Sequence, residues 1–192
     1  YTQIASAIRG TIREKYWDAT RGLFADTYDH RSFSQHVNSL AILAGIVTGE
    51  EATRVMERTL NDSSLIQATI YFRYYVHQAL KVAGMGDHLL DNLQIWRDQM
   101  ALGLTTWAEM PEPTRSDCHA WGASPNIEFF RILLGIDSNA PGFKSIRIAP
   151  SLGDLKEVSG TMPHPVGSVT ASYKLDKKGK LTARLISVSY TH

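Results

Sequence analysis

The chain has 192 residues, is 43% hydrophobic and 20% charged, and carries a net charge of +1, so it can bury a sizeable core as one large domain or two small ones. No run of like charges exceeds two or three residues, and nothing in this balance points to nucleic acid or an anionic membrane as a partner. No stretch approaches the roughly 18 to 20 apolar residues of a membrane span, and Cys118, the only cysteine, leaves no internal disulfide or Cys-rich zinc site.

Tyr1-Thr2-Gln3 opens directly into a helical pattern with no basic start, apolar core or cleavage site; with no initiator Met and a start in mid-pattern, the sequence reads as a piece of something longer. Ile4, Ile8 and Ile12 recur every fourth residue, and Val37, Leu40, Ala41, Ala44 and Val47 follow a helical stripe. Ile66, Ile70, Tyr75, Ala79 and Ala83 lie roughly on another. Each stripe asks for a neighbouring helix. Ser32 or Ser34 can cap the second segment, which ends before Gly45 to Gly49. Gly84 to Gly86 separates a helix over 64–83 from one at about 87–99, and Gly135 closes a helix that starts near Pro125. Roughly six helices joined by short turns predict consecutive α-hairpins, the unit of bundles, solenoids and α/α barrels.

After about residue 140 the period becomes two. Ser145 to Ala149 alternates polar and apolar, Val169, Ala171, Tyr173 and Leu175 alternate next, and Leu181, Ala183 and Leu185 follow the turn Asp176-Lys177-Lys178-Gly179. This predicts a β-hairpin within four or so strands, half a sandwich at best, with its second layer expected from the helical part or from sequence upstream. The division expected is a helical part over 1–137 and a β part over 138–192.

Between the two lies the segment richest in chemistry, Gly103 to Gly122, which holds Trp107, Glu109, Glu112, Arg115, Asp117, His119 and Trp121. Two prolines keep it out of a regular helix. An indole presents a face to the C–H groups of a sugar, carboxylates and His bind its hydroxyls, and a carboxylate can take a proton from water. Glycoside hydrolysis commonly uses two carboxyl groups, but Glu109 and Glu112, three apart in an irregular loop, are not assigned the two roles by their spacing.

The run Thr105-Thr106-Trp107-Ala108-Glu109, with Pro111-Glu112-Pro113-Thr114-Arg115-Ser116-Asp117-Cys118-His119-Ala120-Trp121-Gly122 and a helix ending Leu133-Leu134-Gly135-Ile136, resembles the end of the catalytic barrel in α-L-rhamnosidases of glycoside hydrolase family 78. Pro141-Gly142-Phe143, Ile146 to Pro150 and the later Gly-x-Val strand resemble that family's C-terminal β-sandwich. Tyr16-Trp17-Asp18, Leu23 to Asp26 and Ser34 to Asn38 resemble its mid-barrel helices and loops. The resemblance implies part of an (α/α)6 barrel followed by part of an antiparallel β-sandwich, and inverting hydrolysis of terminal α-L-rhamnosides. It implies a general-base glutamate at Glu109, a sugar-binding histidine at His119, no cofactor, and a secreted or periplasmic parent. Nine residues separate Glu109 from His119 here, fewer than in many relatives. The family's general-acid glutamate lies in the first barrel helices, which have no counterpart in this chain. The remainder of the parent enzyme or a self-association partner is therefore expected to cover the exposed helical faces.

Plainer readings stand beside these. Glu109 could be a solvated loop carboxylate or one end of an ion pair with Arg115, and His119 could be satisfied by loop backbone. Trp107 and Trp121 are sugar platforms or plugs beneath the loop. Arg115 and Asp117 either touch substrate or hold the loop by hydrogen bonds. No second His, Asp or Glu sits at zinc spacing from His119. Turn chemistry accounts for Asp26, Asp29 and His30, and the cluster Tyr71, Phe72, Tyr74 and Tyr75 reads as core. Two rival functions remain: another α/α-barrel sugar enzyme (lyase, epimerase or different glycosidase), or a non-catalytic carbohydrate-binding module.

Overall fold

The computed structural model describes residues 1–189, and among these the chain is mixed, with six α-helices and three small antiparallel sheets. It divides into two compact units, one of residues 1–85 and 94–123, the other of residues 86–93 and 124–192.

In the first unit, α1 (Thr2–Tyr16) runs into a short hairpin of β1 (Trp17–Asp18) and β2 (Leu23–Phe24), followed by α2 (Gln35–Leu43), α3 (Gly49–Asn61), α4 (Arg73–Val82) and α5 (Gln94–Ala101). Ser34 is the cap of α2: its hydroxyl accepts from the Val37 amide at 3.2 Å, satisfying one of the helix's orphan donors. Glu50 and Glu51 in the first turn of α3, and Arg58 in its last, complement the helix dipole. The core is made by β2, α2, α3 and α4 through Leu23, Phe24, Ala41, Ile42, Val55, Met56, Val76 and Leu80. Each large apolar side chain so buried contributes about 1.5–3 kcal/mol. Asn38, fully buried, clips α2 to β2: its amide donates to the carbonyls of Phe24 and Ser34 at 3.0 and 2.9 Å and accepts from the Phe24 amide at 2.8 Å.

Two helices differ from the sequence expectation. The helix expected over 64–83 begins only at Arg73, because residues 62–68 are claimed by other hydrogen bonds. Asp62 caps a turn through the Ser64 amide, Ile66 bridges to Ser34, and the buried Gln35 side chain accepts from the Ala68 amide at 2.9 Å. Ile66, placed on the stripe, is exposed. The helix expected at 87–99 is instead two 3-10 turns, Gly86–His88 and Leu90–Leu93, and then α5. The stripe on α1 is covered at one end only: Ile12 packs against this core, whereas Ile4 and Ile8 are 61% and 54% exposed.

In the second unit α6 (Pro125–Glu128) continues into a π-helical turn, Phe129–Leu133. Gly135 ends it at φ +66°, the left-handed conformation that favours glycine. β3 (Ile136–Ser138) pairs with β4 (Ile146–Ile148), and a second sheet has the order β5-β6-β7, with β5 Glu157–His164, β6 Gly167–Leu175 and β7 Leu181–Ser189. The expected hairpin is β6–β7, with Asp176 closing the turn by accepting from the amides of Lys178 and Lys180. Val169, Ala171 and Tyr173 alternate inward and meet Leu134, Ile136 and Met162, and the Tyr173 hydroxyl donates to the Leu134 carbonyl at 3.0 Å. By register Leu181 and Leu185 share that face of the sheet, yet both remain exposed. No helix among the described residues is long and apolar enough to cross a membrane.

Candidate active site

The loop between α5 and Gly122 is held by backbone-reading side chains from within its own unit. Gln99, buried on α5, accepts from the Ala108 amide at 3.0 Å and donates to the Ala108 carbonyl at 3.5 Å. Trp96 Nε1 donates to the Gly122 carbonyl at 2.6 Å, and the His119 amide to the Trp107 carbonyl at 2.7 Å. The Glu109 amide donates to the Ser116 carbonyl at 2.9 Å, so the two limbs of the loop are tied on either side of Ala108. A side chain at Gly122 would lie 2.5 Å from Trp107 Cβ, which shows how closely the indole-bearing residue packs there.

This frame fixes Glu109. It is 8% exposed and lines a hollow of about 240 Å³ together with Thr69, Tyr71, Met110 and Trp121. Glu112 lies elsewhere, on a smaller hollow of about 80 Å³ lined also by Ile95, Leu102 and Pro111. The two glutamates, three apart in sequence, thus face different spaces.

Of the other residues singled out in the sequence, Trp121 lines the Glu109 hollow and His119 lies against it, the imidazole and indole centroids 4.4 Å apart. His119 Nδ1 is buried and has no hydrogen-bond partner among the described residues. Trp107 is half-buried against Gly122. Asp117 is exposed, and its backbone carbonyl accepts from the Thr106 hydroxyl at 2.5 Å. Arg115 is paired with Glu109: Nε donates to Oε2 at 2.8 Å and Nη2 donates to Oε1. The ion pair weighed as the plainer reading of Glu109 is therefore formed. Asp26 accepts from the hydroxyls of Ser32 and Ser34, as turn chemistry suggests.

Tyr71 belongs to the cluster that the sequence presents as core, but it is 48% exposed and lines the same hollow. The misreading follows from the helix boundary, since Tyr71 precedes α4 and is free of its inward stripe. The signal available in the sequence was the turn-favouring run Asp62-Ser63-Ser64 ahead of it.

The hydrogen bonds from Arg115 hold the Glu109 carboxyl below the usual carboxylate range; burial opposes them, and the charges of Arg115 and His119 add to the downward pull. Glu109 is thus ionised in neutral and mildly acidic solution. Because its folded pKa is lowered, the pair stabilises the fold above the unfolded-state pKa, and that contribution is lost as pH falls through the folded value. Replacing Arg115 by Gln removes the main cause. The Glu109 carboxyl titration, followed by 13C NMR, is then expected to move up in pH; an unmoved midpoint would show that the guanidinium does not govern it. Among the described residues no group of three or more His, Cys, Asp or Glu is placed to hold a metal ion.

Comparison with known proteins gives likenesses of two kinds, one to a family model and one to solved structures. Residues 135–186 match the family model described as the bacterial alpha-L-rhamnosidase C-terminal domain. The fold is similar to that of a rhamnosidase from Klebsiella oxytoca with rhamnose bound, at a TM-score of 0.57 and 20% identity, over 65% of this chain and 26% of that one. The chain therefore spans about a quarter of the length of that structure. No curated protein matches it.

Proposed function

We propose, from the premise that this is an α-L-rhamnosidase-like chain, that it supplies one half of a glycoside hydrolase site that cleaves terminal α-L-rhamnosides with inversion. In this reading residues 1–137 are the C-terminal part of an (α/α)6 barrel and residues 138–192 part of a β-sandwich. Glu109 is the general base. His119 and Trp121 bind the sugar, with Trp107, Arg115 and Asp117 beside them.

The observation that carries the reading is the hollow itself, whose lining joins one ionised, mostly buried glutamate to two exposed aromatic residues. A carboxylate has about four lone-pair sites; Arg115 uses two, and the others can orient an attacking water. The water oxygen bonds to the anomeric carbon as the glycosidic C–O bond breaks. Glu109 takes the water's proton, and an acid carried outside this chain protonates the leaving oxygen, the two carboxyl groups standing about 6.5–9.5 Å apart to admit the water. Nδ1 of His119 is buried with no partner among the described residues, which leaves Nε2 as the ring nitrogen to meet a sugar hydroxyl. The Arg115–Glu109 pair weighs against a lyase, since that guanidinium is not free to neutralise a uronate. The uncovered Ile4–Ile8 face of α1 supports packing against the remainder of the parent or a second copy.

The test is product analysis with the longer protein that contains this chain. Incubation with an aryl α-L-rhamnoside is expected to release rhamnose as the β-anomer first, seen by 1H NMR before mutarotation. An α-anomer first would overturn the base role of Glu109, an unsaturated product would indicate a lyase, and binding without turnover would indicate a carbohydrate-binding module.

A further inference from the structure

Tyr71 stands in the turn ahead of α4, outside the loop that carries the other candidate residues, yet it is brought to the same hollow. Its ring meets that of Trp121 edge-on, with centroids 5.5 Å apart and planes at 60°. Trp121 is itself 44% exposed and carries the His119 imidazole against it. Met110 and Thr69 complete the lining beside Glu109. Behind Tyr71 lies Tyr75, with ring centroids 6.2 Å apart. A hydrogen bond to Tyr71 holds the Tyr75 proton on above its usual range.

Two large aromatic rings, each nearly half exposed and set at an angle around a concave space, form an apolar corner with a carboxylate at its edge. Such a corner fits the C–H face of a pyranose better than its hydroxyl-bearing face. We propose that Tyr71 contacts the sugar in the Glu109 hollow and sets a preference for a 6-deoxy sugar, its ring and that of Trp121 closing on the sugar's C–H face and methyl group. This rests on the reading of the hollow as a sugar site. Aromatic carbon and the Met110 thioether offer little to a hydroxymethyl in that corner, so its hydroxyl loses water without gaining a good partner. Discrimination of this kind reaches on the order of 10²-fold in an apolar pocket.

The test compares L-rhamnose with L-mannose, its 6-hydroxy counterpart, by isothermal titration calorimetry on the longer protein. Tyr71→Ala is expected to weaken L-rhamnose binding about 10-fold and L-mannose binding by less than about 3-fold, narrowing the preference. Tyr71→Phe, which keeps the ring and loses the hydroxyl, is expected to keep L-rhamnose binding within about 3-fold and to retain the preference. Because Tyr71 is half exposed, the melting temperature of both variants should match that of the wild type, which separates lost contact from lost fold. Tyr71→Ala binding L-rhamnose as tightly as wild type overturns the proposal, and equal weakening for both sugars overturns its specificity. Wild-type protein that binds L-rhamnose but does not hydrolyse rhamnosides ends the base role of Glu109 and leaves Tyr71 standing. Wild-type protein that binds no L-rhamnose ends both.

Discussion

Glu109→Gln in the longer protein is expected to lower kcat by about 10²–10⁴-fold while sugar binding stays within a few-fold. The amide keeps the size of the carboxylate, and its oxygen can still accept one of the two bonds from Arg115, so the loop tied through the Glu109 amide and the Ser116 carbonyl is retained. What disappears is a group able to take a proton. Azide supplies a check, because it attacks without having a proton to lose. With the distant acid intact, azide should restore cleavage of the variant and yield a β-rhamnosyl azide, the leaving oxygen still receiving its proton from that acid. Turnover within about twofold of wild type would place the base elsewhere.

The largest stability effect is expected at Gly135. Gly135→Ala places a Cβ 2.1 Å from the Ala149 carbonyl carbon and 2.3 Å from the Pro150 nitrogen, in a backbone already at φ +66°. Those are backbone atoms, which cannot rotate away as a side chain would. The left-handed conformation costs a non-glycine residue about 1–2 kcal/mol, and overpacking adds about 1–3 kcal/mol. The Ala149 amide also gives its hydrogen bond to the Gly135 carbonyl, 2.9 Å long, so any separation of the two strands stretches it. A loss of about 2–5 kcal/mol is expected, measured by hydrogen exchange at the amides of β5, β6 and β7. Gly45→Ala provides the comparison: it has a similar φ of +66° but nothing within 4 Å of the added carbon, and should cost only the conformational part. Equal losses at the two positions would show that the Ala149 contact is not tight.

The parts of the fold legible in the sequence are those where local pattern and tertiary contact agree. Ser34 caps α2 as its hydroxyl and position suggest, Gly135 ends its helix, and Val169, Ala171 and Tyr173 point inward by alternation. The expectation fails where a distant side chain claims the backbone. Gln35, reaching the Ala68 amide, holds residues 62–68 out of the helix that Ile66 and Ile70 imitate. β5 was not marked because its inward position 160 is a glycine, and a side chain there would lie 2.5 Å from Leu134 Cδ1. A strand with no side chain at the tightest contact shows no alternation. The π-helical turn at 129–133 has no sequence signal that periodicity detects.

In the candidate site, composition marked the loop and the family resemblance singled out Glu109 and His119. An ion pair with Arg115 is one of the plainer sequence readings of Glu109, and the structure forms it with two hydrogen bonds. Separation of Glu109 from Glu112 was not readable, since an irregular loop has no period to relate residues three apart. Tyr71 was out of reach for a different cause: it is brought to Glu109 across nearly forty positions, and local patterns carry no such pairing.

The order β5-β6-β7 leaves two outer strands, and they are not equally guarded. Pro163 in β5 removes a donor from its rim, a common safeguard against unwanted strand addition. β7 has no proline, and Leu181, Leu185 and Ile186 lie open along it. Prepared without a covering neighbour, the chain is therefore exposed to cross-β recruitment through β7, and a lysine in place of Leu185 would be the conservative way to keep such a preparation dispersed.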